Sequence, residues 1–405
     1  HTPPSHWSMF TGLYPFRHGR YMPKDNGTGL TTLPGLLSAE GYVTAAFTSS
    51  RMLSGFSPEF DYFNWHPDMR KEEMFTKRTA TETTGQALSW LDNHSAERFF
   101  LWIHYFDPHS PYNPPEEHDV FDYAASPFYS DSRYDILGIS RARSMREEIS
   151  RYDGEIRYTD DAIGRVFTRA RELGLWSNTI FIIMADHGEC FGEHNFSDFG
   201  YDDDRPCVFH GKTLYDEEVH IPMIIINPSS GYGGARIGAP VESVDIFSTI
   251  LEMLGVEVPE SDGESLVHLI TSGNRTKGYV FMQTKPLKNL GFSLGILKDG
   301  WKFLNVIPSE LYLESETMEQ EEGFMVSVEV EGDVSSKKTI GNVSSRKMLF
   351  RQEEGEKTNL FVEEESTDAS LESLLMEILP ATDAFAIGHE DEDTARLLRS
   401  LGYMD

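Results

Sequence analysis

Thr179-Ile180-Phe181-Ile182-Ile183-Met184-Ala185-Asp186-His187-Gly188-Glu189 is the stretch on which the fold turns. Its first six residues are almost wholly apolar, too few to span a membrane and enough for a buried strand. The run stops at an Asp-His-Gly turn. A carboxylate and an imidazole therefore stand at a strand's carboxyl end, where open α/β sheets gather their ligands. Upstream, Ser144 to Leu173 has helical spacing through Ile156, Ile163, Val166 and Phe167. Downstream, Ile221 to Ile226 is another buried strand, and Val244 to Leu254 a helix stopped by Gly255.

The same alternation continues towards the amino end. Thr2 to Ser5 is a turn entering a short helix, His6 to Phe10, with Gly12 as its stop. Then come a helix (Thr32 to Glu40), a strand (Tyr42 to Phe47), a helix (Thr79 to Leu91) and an aromatic strand, Phe99 to Phe106. Strands alternating with helices predict an α/β fold, a mixed, mostly parallel sheet sandwiched by helices, with 99–106 and 179–184 in one sheet. After Pro259 short runs (Tyr279 to Gln283, Phe292 to Leu297, Trp301 to Val306) predict a small antiparallel sheet with a hairpin at Asp299-Gly300, then a terminal helix near Asp393 to Leu401. The expected division is an α/β domain over 1–259 and a smaller α+β subdomain over 260–405.

The chain has 405 residues, 35 Lys+Arg against 66 Asp+Glu, and a net charge of −31. Nucleic acid and anionic membrane surfaces would repel it. Only 13 of the basic residues are Lys; low Lys with a large acidic surplus matches adaptation to high salt, where screening tolerates self-repulsion. An aromatic content of 12% opposes disorder, and only the acidic stretch from Glu310 to Glu322 reads as loose. Two cysteines, Cys190 and Cys207, exclude a disulfide-built scaffold and leave the redox compartment open. No apolar run reaches the ~18 residues of a membrane span.

Four clusters carry chemistry. Asp186 and His187 offer an oxygen and a nitrogen ligand, suited to Zn²⁺ or Mn²⁺ and to Ca²⁺ through the carboxylate. Lys212, after His210-Gly211, offers a mobile positive charge. Thr2 puts a hydroxyl at a helix mouth, a position that also suits a plain N-cap. His109 lies between Pro108 and Pro111 at the end of the aromatic strand.

Together and in this order these residues resemble the sulfatase family of the alkaline phosphatase superfamily. The family signature (Cys or Ser, any residue, Pro-Ser-Arg, later Thr-Gly and Pro) is matched at Pro4, Ser5, Thr11, Gly12 and Pro15. Pro108 to Tyr112, Asp186 to Glu189, and Gly211-Lys212 through Glu217 before Ile221-Pro222 match three further motifs, and Lys357 to Leu360 and Leu401 to Tyr403 resemble the family's ending. The chain departs at three places. Thr2 holds the nucleophile position, and threonine cannot form the aldehyde of true sulfatases. His6 replaces the Arg, and Ser49-Ser50-Arg51 stands where a Lys segment is expected. The family's first strand, with its metal-binding Asp residues, would precede Thr2, so the resemblance implies a longer protein.

The resemblance implies a metal-dependent ester hydrolase acting through a covalent Thr2 ester. Asp186, His187 and Thr2 would ligate one divalent ion (Ca, Mn or Zn), the N–H groups of Ser5 and His6 would join Lys212 in holding developing charge, and His109 or His210 would protonate the leaving group. Substrates would be small-molecule or glycan esters, with phosphodiesters or phosphonate esters favoured by the nucleophile. The alternative is an inactive sulfatase-like domain that binds sulfated or phosphorylated ligands. Cys190-x3-His194-x12-Cys207-x2-His210 mimics a zinc finger; in the family this interval is the active-site loop, enlarged here by Asp198 and Asp202 to Asp204.

Overall fold

Pro3 and Pro4 occupy the first turn of helix α1 (Thr2–Thr11), where a missing N–H costs nothing. The helix therefore starts four residues earlier than the expected His6. It ends where Gly12 turns left-handed at φ 68 and its N–H reaches Ser8 O. A Cβ at Gly12 would meet the Phe247 ring at 2.7 Å, so only glycine fits. Nearly every α1 side chain is buried. Trp7 stacks on Phe56 at 3.9 Å and Phe10 meets Trp102 edge-on, which clamps the helix into the core.

The computed structural model describes residues 1–23, 25–65, 77–123, 133–134, 143–195, 206–284, 292–307, 346–351 and 365–378. The acidic stretch 310–322, the terminal helix 393–401, the ending motifs at 357–360 and 401–403, and Asp198 with Asp202 to Asp204 lie outside them.

After α1 come the short helices α2 (Pro15–His18) and α3 (Leu33–Ala39), then strands β1 (Val43–Thr48) and β2 (Tyr62–Asn64). Helix α4 (Ala80–His94) opens with a Thr79/Glu82 capping box and leads into β3 (Phe99–His104). Strands β2, β1 and β3 form a parallel sheet in that order, with Val43 opposite Phe99 and Thr48 opposite His104. A two-residue ladder, β4 (Arg133–Tyr134) with β5 (Arg143–Ser144), precedes α5 (Met145–Glu172), itself opened by a Ser144/Glu147 capping box. Strand β6 (Phe181–Met184) leads to the hairpin of β7 (Cys190–Asn195) and β8 (Pro206–Phe209), then α6 (Asp216–Val219) and β9 (Met223–Ile226). Helices α7 (Asp245–Leu254) and α8 (Val267–Ser272) follow.

The remaining strands, β10 (Val280–Gln283), β11 (Phe292–Lys298), β12 (Trp301–Ile307) and β13 (Arg346–Arg351), form the small antiparallel sheet, with helix α9 (Glu365–Ile378) against it. Asp299 and Gly300 both have positive φ at the expected hairpin. One face of the sheet packs Leu294, Ile296, Phe303 and Leu349 against Tyr14, Phe16 and α9. The other packs Leu304, Val306, Met348 and Phe350 against Leu214 and Tyr215.

One expectation is corrected. Among the described residues β3 and β6 do not share a sheet: β6 pairs antiparallel with β9, Phe181 opposite Ile226, in a separate two-stranded sheet. Among those residues each is bonded along one edge, to β1 and to β9, so alternation alone overstated the continuity of the sheet. Their carboxyl ends nevertheless converge, because α1 packs across both: Ser5 Oγ donates to Asp186 O at 2.7 Å, and the His6 ring lies 5.1 Å from that of His104.

Candidate active site

Thr2 is the first helical residue of α1 and is buried. His1, not Thr2, is the N-cap. The Thr2 hydroxyl instead stands 3.2 Å from His187 Nε2. The other imidazole nitrogen, His187 Nδ1, lies 2.9 Å from Gly188 O. A donor at Nδ1 leaves a lone pair at Nε2, aimed at Thr2. The turn carrying His187 is fixed at Gly188, whose N–H donates to Glu218 O and where a Cβ would lie 2.0 Å from Glu217 O.

Asp186 Oδ1 accepts the His187 N–H at 3.1 Å. Its Oδ2 is buried and has no hydrogen-bond partner among the described residues, and neither does His104 Nδ1. Around Oδ2 stand His187 Nε2 at 3.4 Å and His6 Nδ1 at 3.7 Å, and donor atoms of His6, His104 and Asp186 all lie within 4.8 Å of one another. Burial lowers the pKa of His6 and His187 and pushes His104 down to about 3, which favours neutral rings with one lone pair each; in His6 that lone pair is at Nε2, because Nδ1 donates to Thr2 O. Burial alone would raise Asp186, but His187, His6 and His104 together hold it below the usual carboxylate range. His6, His104 and Asp186 could together hold a divalent cation, and imidazole donors suit a nitrogen-seeking metal better than Ca²⁺.

His104 was not singled out in the sequence; the available signal was its place as the last residue of an aromatic strand. His6, expected to line the pocket, is buried among Trp102, Phe56 and His104. The expected role for the Ser5 and His6 N–H groups is corrected. Ser5 N–H is spent on His1 O at 3.2 Å, and His6 is inside the helix with its ring Nδ1 against Thr2 O.

His210 stacks on His187 at 3.8 Å, with its Nδ1 3.0 Å from Glu189 Oε1. Glu189 also accepts from the Tyr112 hydroxyl at 2.8 Å. Phe209, at φ 69, takes a left-handed conformation uncommon for a non-glycine residue, beside Gly211 at φ 81. His109 stacks on Phe106 and meets His210 at 5.1 Å; burial pushes it down to about 4. Its loop is pinned by Lys77 Nζ, which donates to Asp107 O and His109 O and pairs with Glu155. Lys212 Nζ donates to Val208 O. A cavity of about 160 Å³ opens between this cluster and β10, with Ser5, Asp186, His187, Gly211 and Phe281 in its walls.

A sequence profile of the family described as Sulfatase matches residues 1–256. An arylsulfatase of Clostridium perfringens is 28% identical over 274 residues, 56% of this chain and 54% of that protein. A phosphonate monoester hydrolase from Silicibacter pomeroyi superposes with a TM-score of 0.67 at 20% identity, covering 93% of this chain and 84% of that one. A protein solved in complex with its substrate D-glucosamine-2-N,6-O-disulfate superposes with a TM-score of 0.68 at 15% identity, covering 97% and 90%. The structural likenesses establish the fold. The chain spans about half the length of the curated relatives it matches.

Proposed function

Because the chain belongs to the sulfatase family, we propose that it is an ester hydrolase whose nucleophile is the Thr2 hydroxyl. The observation that carries this is the 3.2 Å approach of Thr2 Oγ1 to His187 Nε2, with the far nitrogen of that ring held at Gly188 O. This is the nucleophile, base and orienting group of covalent catalysis. Thr2 Oγ1 bonds to the phosphorus or sulfur of the ester as its proton passes to His187 Nε2. The bond to the leaving oxygen breaks on the opposite side, and that oxygen takes a proton from His210, the ring that Glu189 orients; His109, lowered by burial and with its Nδ1 at Ser110 O, stands beside that ring. Water then cleaves the threonyl ester and restores Thr2.

Asp186, with His6 and His104, would hold one divalent cation; His187, whose Nδ1 is held at Gly188 O and whose Nε2 faces Thr2, is kept as the base. Bound there, the ion would lower the hydroxyl pKa of Thr2 and offset the charge of the ester. The Thr2 side chain, a secondary alcohol, would oxidise to a ketone and not to an aldehyde, so the aldehyde route to sulfate esters is closed to it. We therefore favour phosphodiester and phosphonate ester substrates; phosphonate monoesters are the class named for the Silicibacter neighbour. The alternative of a binding domain without turnover is not favoured: the relatives are named as enzymes.

A panel of aryl sulfate, aryl phosphate, phosphodiester and phosphonate monoester substrates tests the proposal. The diester and phosphonate should turn over fastest. Efficient aryl sulfate hydrolysis with poor phosphoryl activity would overturn the substrate class, and activity unimpaired in Thr2→Ala would overturn the nucleophile.

A further inference from the structure

Behind the turn that carries His187, the β7–β8 hairpin holds a second constellation of metal-binding atoms. Cys190 opens β7 and Cys207 lies in β8, so strand pairing brings two fully buried free thiols together. Helix α6 adds two carboxylates. Cys207 Sγ is 3.6 Å from Glu218 Oε1, and Cys190 Sγ is 3.8 Å from Glu217 Oε1. Donor atoms of Cys190, Cys207 and Glu218 all lie within 4.8 Å of one another, and Cys190 forms a second such group with Glu193 and Glu217.

We propose that Cys190, Cys207 and Glu218 bind a zinc ion, with Glu217 supplying the fourth ligand. In a tetrahedral site with Zn–S of about 2.3 Å and Zn–O of about 2.0 Å, sulfur and oxygen ligands stand about 3.5 Å apart. The two observed sulfur–oxygen separations are close to that edge before any ion is bound. Two thiolates select a thiophilic metal over Ca²⁺ or Mg²⁺, and binding releases one proton from each thiol. The outer contacts are those of a ligand set already oriented. The Glu218 carboxylate accepts the N–H groups of Gly211, Lys212 and Thr213 and the Thr213 hydroxyl. Glu217 Oε1 is 2.6 Å from Nδ1 of His194, whose ring stacks on Tyr215.

The zinc-finger spacing in the sequence thus names the right cysteines and the wrong partners. His210 is turned into the active site and held by Glu189, and His194 stands behind Glu217. Cys190 follows His187 by three residues, Cys207 precedes His210 by three, and Glu218 follows Lys212 by six. One ion would tie together the backbone segments that carry all three.

Metal analysis of the purified protein tests this, with Asp186→Ala separating the two sites. One equivalent of zinc should persist in Asp186→Ala and be lost in Cys190→Ser and Cys207→Ser. Cobalt replacement in the wild-type protein should give a near-ultraviolet thiolate-to-cobalt charge-transfer band, a readout that stands even if the serine variants fail to fold. The proposal is overturned by an intact mass two hydrogens lighter than the reduced protein, which means a disulfide. It is equally overturned by two freely titrating thiols with no cobalt band, or by loss of all zinc in Asp186→Ala.

Discussion

The sheet at the carboxyl end and the two strands that feed the active site are built from similarly apolar sequence and end up in different environments. In β11, β12 and β13 the side chains of Ile296, Phe303 and Leu349 are wholly buried. In β3 and β6, the runs Phe99 to Ile103 and Phe181 to Met184 are only partly buried throughout. The antiparallel strands have neighbours on both faces, and β11 and β12 on both edges. Among the described residues, strands β3 and β6 are bonded along one edge each, and Asp186 Oδ2, just past β6, and His104 Nδ1, at the end of β3, have no hydrogen-bond partner. Apolar composition decides that a segment will be a strand; partners decide how far it is buried. Among the described residues, one region holds fully buried apolar strands and the other carries the polar groups of the candidate site.

Perturbations should separate the two regions. Thr2→Ala should lower kcat/KM by about 10⁴-fold or more, the size seen when a nucleophile is deleted, and leave the melting temperature close to wild type; Thr2→Ser should retain part of the activity. Phe303→Ala should behave in the opposite way. Deleting a buried ring costs about 3–5 kcal/mol, read as a shift in urea midpoint, with kcat per folded molecule unchanged. A Phe303→Ala protein that folds normally but loses turnover would break the division.

Glu189→Gln tests a positioning residue of the site. It should lower kcat by about 100-fold, the low end of what general acid–base groups contribute, with little change in KM, because Glu189 meets His210 and Tyr112 and not the cavity. A rise in KM alone would place Glu189 in substrate binding.

The smallest effect concerns His18, which lies 3.1 Å from the Ser8 hydroxyl and whose pKa burial lowers to about 3. The unfolded imidazole takes up a proton below about pH 6.5, the folded one only near pH 3. Its contribution to stability is therefore lost as pH falls through that window, at up to about 1.4 kcal/mol per unit. Urea midpoints at pH 7, 6 and 5 should fall less steeply in His18→Gln. An equal slope would mean that the group does not titrate on unfolding.

The sequence by itself determined the features set by neighbouring residues. Pro3 and Pro4 with Gly12 frame α1, Ser144 and Glu147 open α5, Asp299-Gly300 closes a hairpin, and an apolar run meets Asp186-His187-Gly188 at a strand end. Each follows from backbone geometry over a few residues. It also placed Thr2, His187 and His210 in one site through ordered motifs. The tertiary structure alone decided which atoms meet across large separations: His104 joining His6 and Asp186, Cys190 and Cys207 turning to Glu217 and Glu218 in place of two histidines, and β6 pairing with β9 rather than with the parallel sheet. Those meetings depend on how packed elements cross, and side-chain spacing along the chain carries no record of a crossing. The Thr2 hydroxyl shows the limit clearly: its position at a helix start suits a cap or a nucleophile equally, and only the packing of α1 against the 186–189 turn brings it to His187.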